Sequence, residues 1–329
     1  MVSVVIVVIA GVYAITRWQQ ARETRELLTL LHSNDHGEAM KAMAGLRERG
    51  SSIEDELIRN LERGNDPVRW RAAVLLGSVS TERSREALQK ALTDDYDDVR
   101  MDAALALGRL GARSAADRLA LMVSNEDEEI PVRTAALRAL MLLNSGPHLP
   151  QASELANDRP PQPPSEEEIE AGAEVPPDDT AQLRATAVSA LGALGGVADV
   201  EVAGRVKNSK GESAATAAGS ALMVLEESID PEEEPNADVR RVACYAITDL
   251  VRPTQDDELS ATAAGILIDA LDDENGNVRI AATHALGLMR IPDSVEDGVA
   301  RAIEDAKNDE HYWVREAAQE TAASTGLGG

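Results

Sequence analysis

The sequence predicts an all-α chain: an α-solenoid of about eight to nine stacked helix pairs, preceded by an N-terminal transmembrane helix. Three observations predict it. One short segment recurs along nearly the whole chain. Hydrophobic residues make up 43% of the 329, yet aromatics are 2% and Phe is absent, so Ala, Leu, Val and Ile must build the core. Those small side chains suit closely packed helices. The third observation is the start of the chain, where residues 1–15 carry no charge.

Residues 1–18 read as a membrane anchor. Val4, Val5, Ile6, Val7, Val8 and Ile9 supply its apolar body, and Tyr13 and Trp18 are the rings expected at a membrane interface. At 1.5 Å per residue the segment reaches roughly 27 Å, against a bilayer core of about 30 Å. A cleaved signal peptide and a buried helix are the rival readings. A signal peptide carries basic residues before its apolar run, and none stand there. Arg17, Arg22 and Arg25 follow the segment, which by the positive-inside rule puts the rest of a single-pass membrane protein in the cytoplasm. Glu23 and Glu26 are interleaved, so an extracytoplasmic placement is the alternative. Residues 19–36 continue as a juxtamembrane helix. Its patch of Leu27, Leu28, Leu30 and Leu31 is suited to docking on the repeat domain.

The repeats occupy residues 37–143 and 181–324. Well-matched copies are DPVRWRAAVLLG from Asp66 and DDVRMDAALALG from Asp97. Others begin at Ile130, Ala181, Ala237, Gly276 and Tyr312. After each arginine, small apolar residues fall three and four positions on and a larger one seven positions on, which is one helical face. The arginines are Arg69, Arg100, Arg133, Arg184, Arg240, Arg279 and Arg315. Two degenerate copies lack the arginine and take Ala39 and Ala214 as their reference positions. Spacings of roughly 31 residues fit two short helices and two turns. Second helices are expected over 53–63, 83–92, 115–123, 259–271 and 295–306. Gly77, Gly108, Gly192 and Gly287 sit late in the first helices, where glycine permits close helix approach or a helix stop.

The D-x-x-V-R-x-x-A-A-x-x-L-G run resembles the HEAT-repeat family, in the short bacterial and archaeal form also found in phycobilin lyase subunits. The resemblance covers residues 37–323. It implies protein-binding scaffolds for the most part, with some enzyme-associated members. It also implies that the repeated arginine pairs with an acid near the inter-repeat turn, a place that Asp66 and Asp97 occupy here. Gly276 and Tyr312 hold that place in the last copies, so stacking is expected to be less regular there.

Two acidic stretches interrupt the repeats. Residues 144–180 hold eight prolines and nine acids against one arginine, and read as a disordered insert, either solvated or a docking arm for a basic partner. Residues 226–238 hold seven acids and no base, and read as a solvated loop or as a docking arm for a basic partner. Residues 325–329 read as a flexible tail.

Chemistry is scarce. The single Cys244 excludes an intrachain disulfide and any cysteine-based metal cluster, and its small-residue register makes it a buried thiol. His32 and His36 stand four apart but flank a turn. A net charge of −26 argues against nucleic acid as partner. No nucleophile, phosphate-binding or metalloprotease motif occurs. The expectation is therefore a non-catalytic, membrane-anchored scaffold without cofactor, metal or small-molecule substrate. It holds an unidentified protein partner on its concave face or C-terminal end. The alternatives are a structural subunit of a larger membrane complex, or an accessory lyase-type subunit acting on a modified or pigment-bearing protein.

Overall fold

The structure, a computed structural model, describes residues 2–158, 177–196, 198 and 200–326, with the backbone alone for 2–10, 200 and 201. Among the described residues every regular element is a helix and no strand occurs. The chain forms two compact units, Met1–Ala115 and Ala116–Gly329.

The first unit opens with α1 (Val2–Leu30), one continuous helix through the expected anchor and most of the juxtamembrane stretch, which ends in a turn over 31–35 instead of staying helical to 36. Its end docks on α2 (His36–Arg47), as the leucine patch implied. A Cβ on Gly45 of α2 would meet the Leu27 side chain at 2.9 Å, and Leu31 is fully buried. Upstream, Val12, Tyr13, Ile15 and Trp18 are exposed. Among the described residues no helix is long and apolar enough to cross a membrane. The expected span thus gains no support: from Arg17 onward α1 is densely charged, and the side chains of Val4 through Ile9 lie outside the described residues.

The unit continues with α3 (Glu54–Arg63), α4 (Asp66–Leu76), α5 (Glu82–Ala91) and α6 (Asp97–Arg109). Capping side chains set where helices start. Asp35, Asn65 and Thr81 accept the backbone N–H of Glu38, Val68 and Ser84 at 2.9, 3.3 and 3.1 Å. First helices such as α4 and α6 bury alanines and leucines around much of their circumference. Second helices bury one stripe, Leu57 and Leu61 on α3, and Ala87, Leu88 and Ala91 on α5. Gly77 has the expected role, since a Cβ there would meet that of Ala106 at 2.9 Å.

The second unit comprises α7 (Ala116–Val123), α8 (Ile130–Leu142), α9 (Leu149–Asn157), α10 (Ala181–Gly195) and the single turn α11 (Val200–Ala203). It continues through α12 (Ala217–Glu227), α13 (Ala237–Val251), α14 (Asp257–Asp269), α15 (Gly276–Leu288), α16 (Glu296–Ala306) and α17 (Tyr312–Thr325). First helix follows first helix through α8, α10, α13, α15 and α17.

Three expectations change. The stretch 144–180 is not disordered throughout. Its start folds as α9, which buries Leu149, Ala152, Leu155 and Ala156 and packs on α10. Its polyproline and triple-glutamate part, within 159–176, lies outside the described residues. Because α8 and α9 both pack on α10, the stretch does not divide the repeats, and the unit boundary falls at Ala115 instead. The Ala214 copy is not a first helix either. Thr216 caps α12, which packs between α10 and α13 as the second helix of the Arg184 repeat. The expected tail begins one residue late, after Thr325, where Gly326 caps α17 at φ +73°; residues 327–329 lie outside the described residues.

Candidate functional site

The repeated arginines form the most regular polar feature of the molecule. In the second unit the Arg184 guanidinium reaches forward to Glu234, Nε to Oε2 at 2.9 Å and Nη2 to Oε1 at 3.0 Å. Arg240 does the same to Asp273, at 2.8 and 3.1 Å. Arg279 does so to Asp309, at 2.8 and 2.9 Å. The next arginine then binds the backbone carbonyl of the same acid. Arg240 Nη1 donates to the Glu234 carbonyl at 3.0 Å, Arg279 Nη1 to that of Asp273 at 2.9 Å, and Arg315 Nη1 to that of Asp309 at 2.7 Å. Each loop acid is thereby held from both sides, its carboxylate by one repeat and its backbone by the next.

The first unit repeats the pattern. Arg69 binds Asp94 through Nε and Nη2 at 2.9 and 2.7 Å, and Arg100 Nη1 donates to the Asp94 carbonyl at 2.8 Å. In the second unit Arg133 departs from the pattern and donates Nε to the Val123 carbonyl at 3.0 Å. Burial opposes ionisation of Asp94 and Asp309, but Arg69 and Arg279, aided by the backbone N–H groups of Tyr96 and His311, hold both carboxyls below the usual range. Arg184 itself holds the Asp178 carboxyl down, against burial.

The expected partners Asp66 and Asp97 do contact arginine, but within their own helix. Arg69 meets Asp66 at 3.0 Å and Arg100 meets Asp97 at 2.7 Å, three residues apart, with both acids more than half exposed. The tie between repeats comes from Asp94, Glu234, Asp273 and Asp309, each six residues before the arginine of the following repeat, which the three-residue register concealed. Stacking does not loosen at Gly276 or Tyr312, because the six-residue register stays intact there. The two acidic stretches also contribute the ion-pair partners of Arg184, the part-buried Asp178 and the fully buried Glu234.

Reactive groups are sparse. Burial pushes the Cys244 thiol up to about 12, and Asp273 adds to the effect. His32 lies 3.2 Å from Asn60 Oδ1, and the turn after it caps α2 through Asp35. Among the described residues no group of three or more His, Cys, Asp or Glu is placed to hold a metal ion.

A cavity of about 470 Å³ opens in the second unit between the ends of α12 and α14. Its wall carries Glu226, Glu227, Asp230, Asp269 and Asp272, with Lys210 as its cation among the described residues. Burial pushes the Glu226 carboxyl up, and Glu227, Asp269 and Asp230 add repulsion that Lys210 only partly offsets. Composition had marked 226–238 as acidic; only the fold brings Asp269 and Asp272 against it.

Models of the HEAT repeats match residues 24–108, 54–141 and 229–323. The chain belongs to the HEAT-repeat family. No curated protein matches it. Among solved structures, this HEAT-repeat chain is similar to an engineered protein at 19% identity, covering 92% of this chain and 78% of that one, with a TM-score of 0.48. It is similar to the complex of CpcE and CpcF of phycocyanin lyase from Nostoc sp. PCC7120 at 20% identity, covering 82% and 94%, with a TM-score of 0.45. The karyopherin Kap121p, bound to the extreme C-terminus of the protein phosphatase Cdc14p, matches at 15% identity over 92% of this chain and 38% of that one, with a TM-score of 0.46. A HEAT-repeat fold is consistent with a protein-binding scaffold.

Proposed function

We propose that the chain is a non-catalytic, membrane-attached scaffold that binds a partner protein along the exposed sides of its second helices and at the start of α17. One observation carries this reading. The polar residue repeated from copy to copy, the arginine, binds inter-repeat loops, and what differs between copies is what faces outward. Leu121 on α7 is 73% exposed, and Tyr312 and Trp313 stand edge to face at 4.9 Å while 52% and 61% exposed. Exposed aromatics of this kind anchor protein interfaces.

The uncharged residues 1–15 support the membrane part of the reading, on sequence alone. Photo-crosslinking from positions 121 and 313 in native cells tests the scaffold. A discrete protein adduct from either position is expected, and none from both would sink it. A carbonate wash of native membranes tests the attachment. The full chain should stay in the pellet, and a chain lacking residues 1–18, which keeps Leu27 and Leu31 packed on α2, should be soluble and helical.

A further inference from the structure

Glu226 and Glu227 close the last turn of α12, and Asp269 ends α14 with Asp272 in the turn beyond. Helix C-termini carry partial negative charge and favour cations, so carboxylates at both ends break the ordinary preference. The loop Asp230–Glu233 brings more acid to the same cavity wall. Glu227 is the innermost anomaly. It is 8% exposed, its Oε2 accepts the Ser209 N–H at 2.8 Å, and its buried Oε1 has no hydrogen-bond partner. A buried carboxylate oxygen left unpaired is costly to stability. Local rules broken together, with Lys210 offsetting them only in part, mark a place kept for something that binds there.

What would satisfy Oε1 is a cationic N–H donor. The acids are spread around the wall rather than gathered into a coordination shell, which suits an extended donor better than a point ion. Asp273 is already engaged by Arg240, so it stabilises the wall and is not the receptor.

We propose that this cavity receives a lysine or arginine side chain from an extended basic segment of the partner protein, whose ammonium or guanidinium group donates to Glu227 Oε1. The proposal rests on the scaffold reading and gives its partner a chemistry. Glu226, Asp230, Asp269 and Asp272 draw the basic segment in, and Glu227 selects the side chain that reaches the floor.

Calorimetric titration of the full chain with an acetylated, amidated tetralysine peptide tests it. Wild type should bind, Glu227→Gln should bind at least about tenfold more weakly, and Glu320→Gln, which removes one exposed charge from α17, should bind within about twofold of wild type. Circular dichroism and thermal melting should show Glu227→Gln folded and no less stable, because the unpaired charge is gone. No binding by wild type overturns the proposal. So does equal weakening in both variants, which would mean diffuse attraction alone. Binding of spermidine without tetralysine overturns it in favour of a free polyamine. A crosslinked partner captured equally by wild type and Glu227→Gln removes the cavity's role and leaves the scaffold standing. Selective tetralysine binding with no partner adduct removes the scaffold and leaves the cavity's chemistry supported.

Discussion

Arg240 and Asp273 form a two-point bridge closed off from solvent, with the side chains 1% and 2% exposed. Asp273 belongs to the loop that opens the next repeat, and its own carbonyl is bound by Arg279. The bridge therefore fixes the distance and the rotation between α13 and α15 at once. Burying two charges is expensive, and an ion pair in a core repays that cost only when hydrogen bonds satisfy the remaining groups. Here they do: Arg240 Nη1 is taken by the carbonyls of Glu234 and Pro235 at 3.0 Å each, and Asp273 Oδ1 by the Asn275 N–H at 2.7 Å. Such a pair sets register between repeats more than it adds net stability.

Removing one partner should accordingly cost far more than removing an exposed acid. Asp273→Ala leaves a buried guanidinium alone and should lower stability by about 3–5 kcal/mol. Asp66→Ala removes an exposed contact within one helix and should change it by less than about 0.5 kcal/mol. Urea unfolding followed by circular dichroism compares the two. Equal losses would mean that the six-residue register is not what joins repeats.

That register was readable in the sequence. Asp94, Asp127, Asp178, Glu234, Asp273 and Asp309 each stand six residues before a repeated arginine. The resemblance drew attention to the acid three residues before, which is on the same helix and one turn away, and so contacts the same arginine. Helix content and the second helices were legible because apolar residues repeat at helical spacing and turns are marked by Gly, Asn and Asp. The place of α12 was not, because its alanine-rich face mimics a first helix and only packing against α10 and α13 distinguishes it. Nor was α9, whose short apolar stripe sits inside a proline-rich composition. The acidic cavity was half legible: one wall is a run of glutamates, and the other comes from α14, more than 30 residues away in the chain.

Stability should fall in acid through the ladder carboxylates. Asp94, Asp178 and Asp309 have folded-state values below the ordinary 3.8. For a lowered carboxyl, the contribution is complete above the unfolded value and disappears as pH drops through the folded one. Melting temperature should thus hold down to about pH 4 and decline below it. Glu226 has the opposite sign, since its raised value makes the ionised form a burden that grows as pH rises through it. Glu226→Gln should stabilise the protein at neutral pH, and the gain should shrink in acid. A melting temperature that rises from pH 4 to pH 3 would contradict the ladder.

Cys244 should resist thiol reagents in the folded protein. It is fully buried, and at a pKa of about 12 only roughly one thiol in ten thousand is ionised at pH 8. Ellman's reagent should titrate no thiol in buffer and one per chain in urea. Rapid labelling of the native protein would mean that α13 opens locally.

Two glycines separate helix propensity from helix packing. Gly192 on α10 faces the backbone of α13, and a Cβ there would meet Ala246 Cα at 2.7 Å and its carbonyl carbon at 2.9 Å. Gly265 on α14 has nothing within 4 Å of that position. Both lie inside helices, so alanine should gain about 0.5–1 kcal/mol from propensity at each. At Gly265 that gain should appear undiminished. At Gly192 the two helices must part, and overpacking should cost a net of about 1–3 kcal/mol. The parting also strains the fork between Arg184 on α10 and Glu234 just before α13, so Gly192→Ala and Glu234→Gln should be less than additive in a double-mutant cycle. Urea midpoints of the two alanine variants moving in the same direction would show that close approach of first helices does not limit this array.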